Sequence, residues 1–269
     1  MKIKLIAIDI DDTLLSSEGK ILPSTKTVLQ KALKHGVKVV LCSGRPLPGM
    51  RPFLDELGIA GDEQYAINYN GSVIETVSGK VVAETGLSNA VYRQIDTYSS
   101  LNGLPYNVLD RNGEIYTSNH DVNRITVVQA WENSAGLLIR KPSEMPADFG
   151  IVKGVFVGET EKLDQAQSGV QQEFGSENYV VRAADNFLEI MNATADKGKA
   201  LTKLTETLGP DKSEVMAIGD ERNDIPMFDF AGQAVAMGNS SSAAKEHASY
   251  LTASNDNNGI AQALNELVF

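Results

Sequence analysis

The chain opens MKIKLIAIDIDDTLL (residues 1–15), and the reading of this stretch decides the fold. Residues 4–10, KLIAIDI, form a short and nearly continuous apolar run. That is the pattern of a strand covered on both faces, as in a parallel sheet. Three carboxylates, Asp9, Asp11 and Asp12, crowd the end of the run. Each raises the cost of charging its neighbours. The cluster is therefore either a solvated turn or a place where something positive sits. Side chains at i and i+2 of a strand share a face, so Asp9 and Asp11 are expected to project together. They stand at the carboxyl end of the strand, where open α/β sheets bind ligands.

Strand and helix patterns alternate outward from this run. STKTVLQKALKH (24–35) carries Val28, Leu29, Ala32 and Leu33 at helical spacing, with Ser24 as the expected N-cap and Gly36 as a stop. VKVVLC (37–42) and YAINYNG (65–71) read as strands, with a helix over MRPFLDELG between them. The alternation predicts an α/β fold built on a doubly wound parallel sheet. From about Thr85 to Ala184 the rhythm changes to grouped strands and helices, with Asn112-Gly113 as a hairpin signal. This segment reads as an inserted α+β module, so residues 1–84 and 186–269 are assigned to the core and 85–185 to the insert. The alternating rhythm then returns through KALTKLTETL, EVMAIGD, NDIPMFDFA, AVAMG and the C-terminal NGIAQALNELV.

The 269 residues are 42% hydrophobic, enough for a sizeable core. A net charge of -11 argues against nucleic acid or an anionic membrane as partner, though not against a small anion met by local cations. The single cysteine, Cys42, fits core filling in a reducing compartment. No run has the length of a membrane span, and the N-terminal run is too short for a signal peptide, so a cytoplasmic location is expected. Trp131 reads as a packing residue.

Two further apolar runs end as the first one does. VKVVLC delivers Ser43 and Gly44, followed by Arg45, and EVMAIG delivers Asp220, with Asn223 and Asp224 on the next turn. If these strands are neighbours, four carboxylates and a hydroxyl converge. Such a density of carboxylate oxygen suits Mg2+, whereas His35, His120 and His247 are isolated in sequence. Lys197 opens a helix behind Asp196, its expected N-cap. A lysine in a first turn opposes the helix dipole, but ammonium and helix N-terminus together would hold a phosphate. Singly, each residue has an ordinary reading: Ser43 a turn hydroxyl, Arg45 an ion-pair partner, Lys197 a surface lysine.

The ordered set DIDDTLL (9–15), LCSGRP (41–46), DKGKAL (196–201) and GDERNDIPMF (219–228) resembles the haloacid dehalogenase superfamily, and most of all its Cof-type sugar-phosphate phosphatases. Asp12 stands where those enzymes usually have Gly, and Ser43 where many have Thr. The resemblance implies a Rossmann-like core with an α/β cap that reads the substrate, and Mg2+ as cofactor. It implies that Asp9 is the nucleophile and Asp11 the acid and base. Metal would be held by Asp9, Asp220 and the Asp11 carbonyl, with Asp224 orienting its shell. Ser43, Gly44, Lys197, Asn223 and the Ile10 N–H would bind the phosphoryl group, with Arg45 beside them. The expected partner is a small phosphorylated metabolite, and the expected assembly a monomer or homodimer. A phosphomutase or phosphotransferase on the same core is the first alternative, and a receiver-type phospho-accepting domain the second.

Overall fold

The computed structural model describes residues 3–269. In chain order, β1 (Leu5–Ile8), α1 (Pro23–Lys34), β2 (Lys38–Cys42), α2 (Leu47–Leu57), β3 (Tyr65–Asn68), β4 (Val73–Thr76) and β5 (Val81–Glu84) come first. They are followed by α3 (Asn89–Asn102), β6 (Tyr106–Leu109), β7 (Ile115–Thr117), α4 (Arg124–Glu132), β8 (Leu137–Ile139), β9 (Lys153–Val157), α5 (Thr160–Phe174), β10 (Asn178–Ala184) and β11 (Phe187–Asn192). The chain closes with α6 (Lys197–Leu208), β12 (Val215–Gly219), α7 (Ile225–Phe230), β13 (Gln233–Ala236), α8 (Ser242–His247), β14 (Tyr250–Leu251) and α9 (Gly259–Leu267).

These elements separate into two compact units. The first runs through Arg45, then Met50–Ala83 and Asp196–Phe269. Its sheet has the order β14-β13-β12-β1-β2-β3-β4-β5 and is parallel from β14 to β3. Strand β1 lies at its centre, with Ile8 level with Ile218 on one side and Leu41 on the other. Leu5, Ala7, Val40, Cys42 and Ile67 pack on one face against Leu201 and Leu204 of α6 and Met227 and Phe228 of α7. Ile6, Ile8, Val39 and Leu41 alternate to the other face and are equally buried. Helix α1 begins with Pro23 at its first position, behind a Leu22 N-cap, so the Ser24 cap expected from sequence is corrected. Proline suits that position because its missing N–H has no partner there anyway.

The second unit comprises residues 46–49 and 84–195, with a sheet of order β10-β11-β9-β6-β7-β8. Tyr92, Ile95, Leu163, Val170 and Phe174 from α3 and α5 pack on Tyr106, Val108, Phe156, Leu188 and Ile190 of this sheet. The junction expected after residue 185 falls inside the β10–β11 hairpin, and β11 pairs onward to β9, so the second unit continues to Ala195. The sequence Phe187–Asn192 is apolar enough for either sheet, and only its pairing decides which. The Asn112-Gly113 signal does mark a hairpin, but the turn spans residues 110–114, with Gly113 at φ 91. Trp131 is 80% exposed, which overturns its expected packing role. No helix among the described residues is long and apolar enough to cross a membrane.

Candidate active site

Strand β1 stops at Ile8, so Asp9 and Asp11 do not share a strand face as the i, i+2 spacing suggested. The chain instead enters a tight turn, Ile10–Leu14, closed by hydrogen bonds from Leu14 N–H to Asp9 O and from Leu15 N–H to Ile10 O. Asp12 takes the left-handed conformation there (φ 56, ψ 8), which aspartate tolerates better than most residues. That accounts for Asp where Gly is usual. The turn sends the two carboxylates apart: Asp9 is buried, and the Asp11 side chain is 56% exposed. Arg45 grips Asp11 with both arms, Nη2 to Oδ1 at 2.6 Å and Nε to Oδ2 at 3.1 Å.

The sheet register brings the other groups to the same edge. Asp9 follows Ile8, Asp220 follows β12, and Ser43 follows β2, on three adjacent parallel strands. Lys197, at the first position of α6 and fully buried, donates to Asp9 Oδ1 at 2.5 Å and to Asp224 Oδ1 at 2.6 Å. Asp196 caps the same helix by accepting from the Lys199 N–H. The other oxygen of Asp224, Oδ2, accepts from the backbone N–H groups of Asp220 and Glu221. A Cβ at residue 219 would lie 2.5 Å from this carboxylate, so only glycine lets Asp224 fold back under the strand end. Asp220 is steadied by Thr13 Oγ1, which donates to its Oδ1 at 2.7 Å.

Asp9, Asp220 and Asp224 each place a carboxylate oxygen within 4.8 Å of the others. Burial pushes the Asp9 carboxyl above its ordinary value, with Lys197 opposing and Asp224 adding to the rise. Burial likewise pushes Asp220 up to about 7, against the pull of the Thr13 hydrogen bond. Burial alone would lower Lys197, but Asp224 and Asp9 more than offset it and keep the amine protonated. One ammonium faces three carboxyl groups, so their full ionisation would leave the pocket with an excess of negative charge. The donors are all oxygen, and a hard divalent cation fits them. Both oxygens of Asp224 are engaged within the protein, so the carboxylates with coordination to offer are those of Asp9 and Asp220. The Asp11 carboxylate, held by Arg45, lies outside this acidic group.

Ser43 is buried, and its Oγ accepts from the Arg45 N–H at 3.2 Å, shaping the loop through Gly44. The Ile10 side chain is wholly buried beneath the turn. Asn223 reaches across to Asn70, Nδ2 to Oδ1 at 3.1 Å. Sequence reasoning missed Asn70, Thr13 as the Asp220 partner, and Asn239, whose Nδ2 donates to Asp12 O at 2.8 Å. Their roles rest on contacts across long stretches of chain, although Thr13 stands next to the acidic run and could have been paired with it. Cys42 packs in the core, and burial raises its thiol to about 12, so it supplies no thiolate.

Comparison with known proteins places the whole chain in one family. The model of the haloacid dehalogenase-like hydrolases matches residues 6–264. YxeH of Bacillus subtilis is 36% identical over 98% of each chain. The 5-amino-6-(5-phospho-D-ribitylamino)uracil phosphatase YwtE of the same organism is 27% identical, again over 98% of each chain. The crystal structure of a haloacid dehalogenase-like hydrolase from Bacteroides thetaiotaomicron superposes with a TM-score of 0.89 at 31% identity, covering 99% of this chain and all of that one. A receiver-type signalling domain is excluded by these matches along the whole chain, and the protein belongs to the haloacid dehalogenase-like hydrolases.

Proposed function

We propose that the chain is a Mg2+-dependent phosphatase of small phosphomonoesters, sugar phosphates foremost, working through a phosphoaspartate on Asp9. The observation that carries this reading is the Lys197 ammonium held between Asp9 and Asp224 at a strand end that also presents Asp220. A phosphatase name on YwtE supports the reaction class.

Asp9 and Asp220 would hold the ion, which supplies positive charge where carboxylate and phosphate dianion would otherwise repel. Asp9 attacks phosphorus through a carboxylate oxygen, and the bond to the leaving alkoxide breaks. Asp11 gives that alkoxide a proton, for which its carboxyl must first leave the Arg45 fork. In the second half, Asp11 takes a proton from water, and the oxygen so activated displaces Asp9 from phosphorus. Lys197 stays charged throughout and favours the anionic transition states, where fixed electrostatics do most of the work. Ser43, Gly44 and Asn223 line the loops that receive the phosphoryl oxygens, with the Ile10 N–H at the base of the turn. The second unit, as a cap, selects the leaving group.

Purified protein tested against a panel of phosphomonoesters with Mg2+ should release inorganic phosphate, and chelation should stop it. Isomerised sugar phosphate without free phosphate would point to a mutase. Full turnover in chelator would contradict the metal assignment.

A further inference from the structure

The turn after β3 is tightly constrained. Tyr69, Asn70 and Gly71 have φ values of 50, 54 and 104, three left-handed residues in a row. Tyr69 is an aromatic and wholly buried, an unusual occupant of that region. Such conformations persist where surrounding structure over-determines them, and they gather at functional sites. Here the surroundings are three loops of the site. The Asn70 N–H donates to Ser43 O at 2.9 Å, and the Tyr69 N–H to Arg45 O at 3.3 Å. A Cβ at Gly71 would lie 2.2 Å from Asp196 O, so the turn rests directly on the start of the Lys197 helix. A Cβ at Gly44 would lie 3.2 Å from Asn70 Nδ2. Asn70 Oδ1 accepts from Asn223 Nδ2.

We infer that Asn70 is a positioning residue of the phosphoryl site: it clamps the Asn223 carboxamide and sets it against the Ser43–Gly44 loop. This rests on the phosphatase reading above. A primary amide can rotate end for end at little cost. Accepting one N–H of Asn223 fixes which way that amide faces and leaves its second N–H to an anion. Asparagine meets both demands of the position, since it accepts through Oδ1 and is at ease in the left-handed region. The clamp spans residues 70 and 223, which are remote in sequence, so no local motif reveals it.

The test is a mutant cycle read by KM for p-nitrophenyl phosphate, by kcat, and by calorimetric binding of inorganic phosphate in Mg2+. N70G removes the clamp without straining the backbone. It should weaken both KM and phosphate binding about tenfold, the loss of one hydrogen bond to a charged group, while kcat falls much less. N223A should do the same. Because Asn70 acts through Asn223, the N70G/N223A double variant should be no worse than the worse single one, whereas independent sites would multiply. N70D keeps the Oδ1 acceptor, so N223A in that background should still cost its full factor, and this arm serves if N70G does not fold. Unchanged phosphate binding in N70G, multiplying effects in the double variant, or a silent N223A in the N70D background overturns the clamp. A wild-type protein that hydrolyses no phosphomonoester overturns the functional reading and the clamp with it. Normal wild-type turnover beside an unmoved N70G overturns the clamp alone.

Discussion

Lys197 Nζ lies 2.6 Å from Asp224 Oδ1, and both side chains are wholly shut off from solvent. The same carboxylate holds the Asp220 and Glu221 N–H groups through its other oxygen. Asp224 therefore ties the ammonium, the β12 end and the acidic pocket together. Removing one partner of a buried charge pair typically costs about 3–5 kcal/mol, because the other is left uncompensated. Asp224→Asn should lose stability near the lower end of that range, since Asp9 still accepts from Lys197. Denaturant unfolding should show the drop, together with loss of turnover.

The raised carboxyl of Asp220 gives a pH dependence of defined sign. Its value in the fold, about 7, exceeds that of an unfolded aspartate. Without metal, folding therefore favours the protonated form. The stability this contributes is complete below about pH 4, the ordinary aspartate value, and is lost as pH rises through 7. Burial shifts Asp9 in the same direction. A divalent cation replaces the proton, so the Mg2+-induced rise in Tm should be small at pH 5 and grow through pH 7 to 8. A shift of equal size at pH 5 and pH 8 would contradict the assignment.

The second unit buries an ion pair of its own between Lys153 on β9 and Glu189 on β11, with side chains 7% and 5% exposed. Glu189→Gln leaves the ammonium without its counter-charge and should destabilise this unit by about 3–5 kcal/mol. Replacing both residues by methionine should restore most of the loss, because the pair need no longer be desolvated. Thermal unfolding of the two variants checks the contrast, and equal destabilisation by both would refute it.

Substrate choice should follow the second unit. Exchange of residues 84–195 for the corresponding unit of a relative should reorder the preferred phosphomonoesters while Asp9 remains essential. A folded hybrid with the original ranking would refute the cap role.

Much of the core could be read directly. β1, β2 and β12 are short apolar runs because both faces of a central parallel strand are covered, and α6 announces itself by the Asp196 cap. Helix α4 could not be read in this way. Val127, Val128 and Trp131 point to solvent, so its apolar residues form no single inward stripe. Strand β10 fell within the expected insert, but its hairpin partner β11 carried no mark of which sheet it joins. At the site, residue types at strand ends were visible. The turn that buries Asp9 and exposes Asp11 was not, because it depends on where β1 stops. Nor was the Asn70–Asn223 contact, which joins the turn after β3 to the turn after β12.

The central claim, that Asp9 carries the phosphoryl group and Asp11 moves the proton, is tested most directly with an aryl phosphate. Its phenolate leaves without help, so Asp11→Asn should still be phosphorylated and then stall, because water is not activated. General acid–base catalysis is typically worth about 10²–10⁴-fold. Rapid mixing of Asp11→Asn with p-nitrophenyl phosphate and Mg2+ should give a burst of phenol approaching one equivalent of enzyme. Intact mass should show one labile phosphoryl group, mapping to Asp9. Asp9→Asn should give neither burst nor adduct, and a burst from that variant, or an adduct on another residue, would contradict the account.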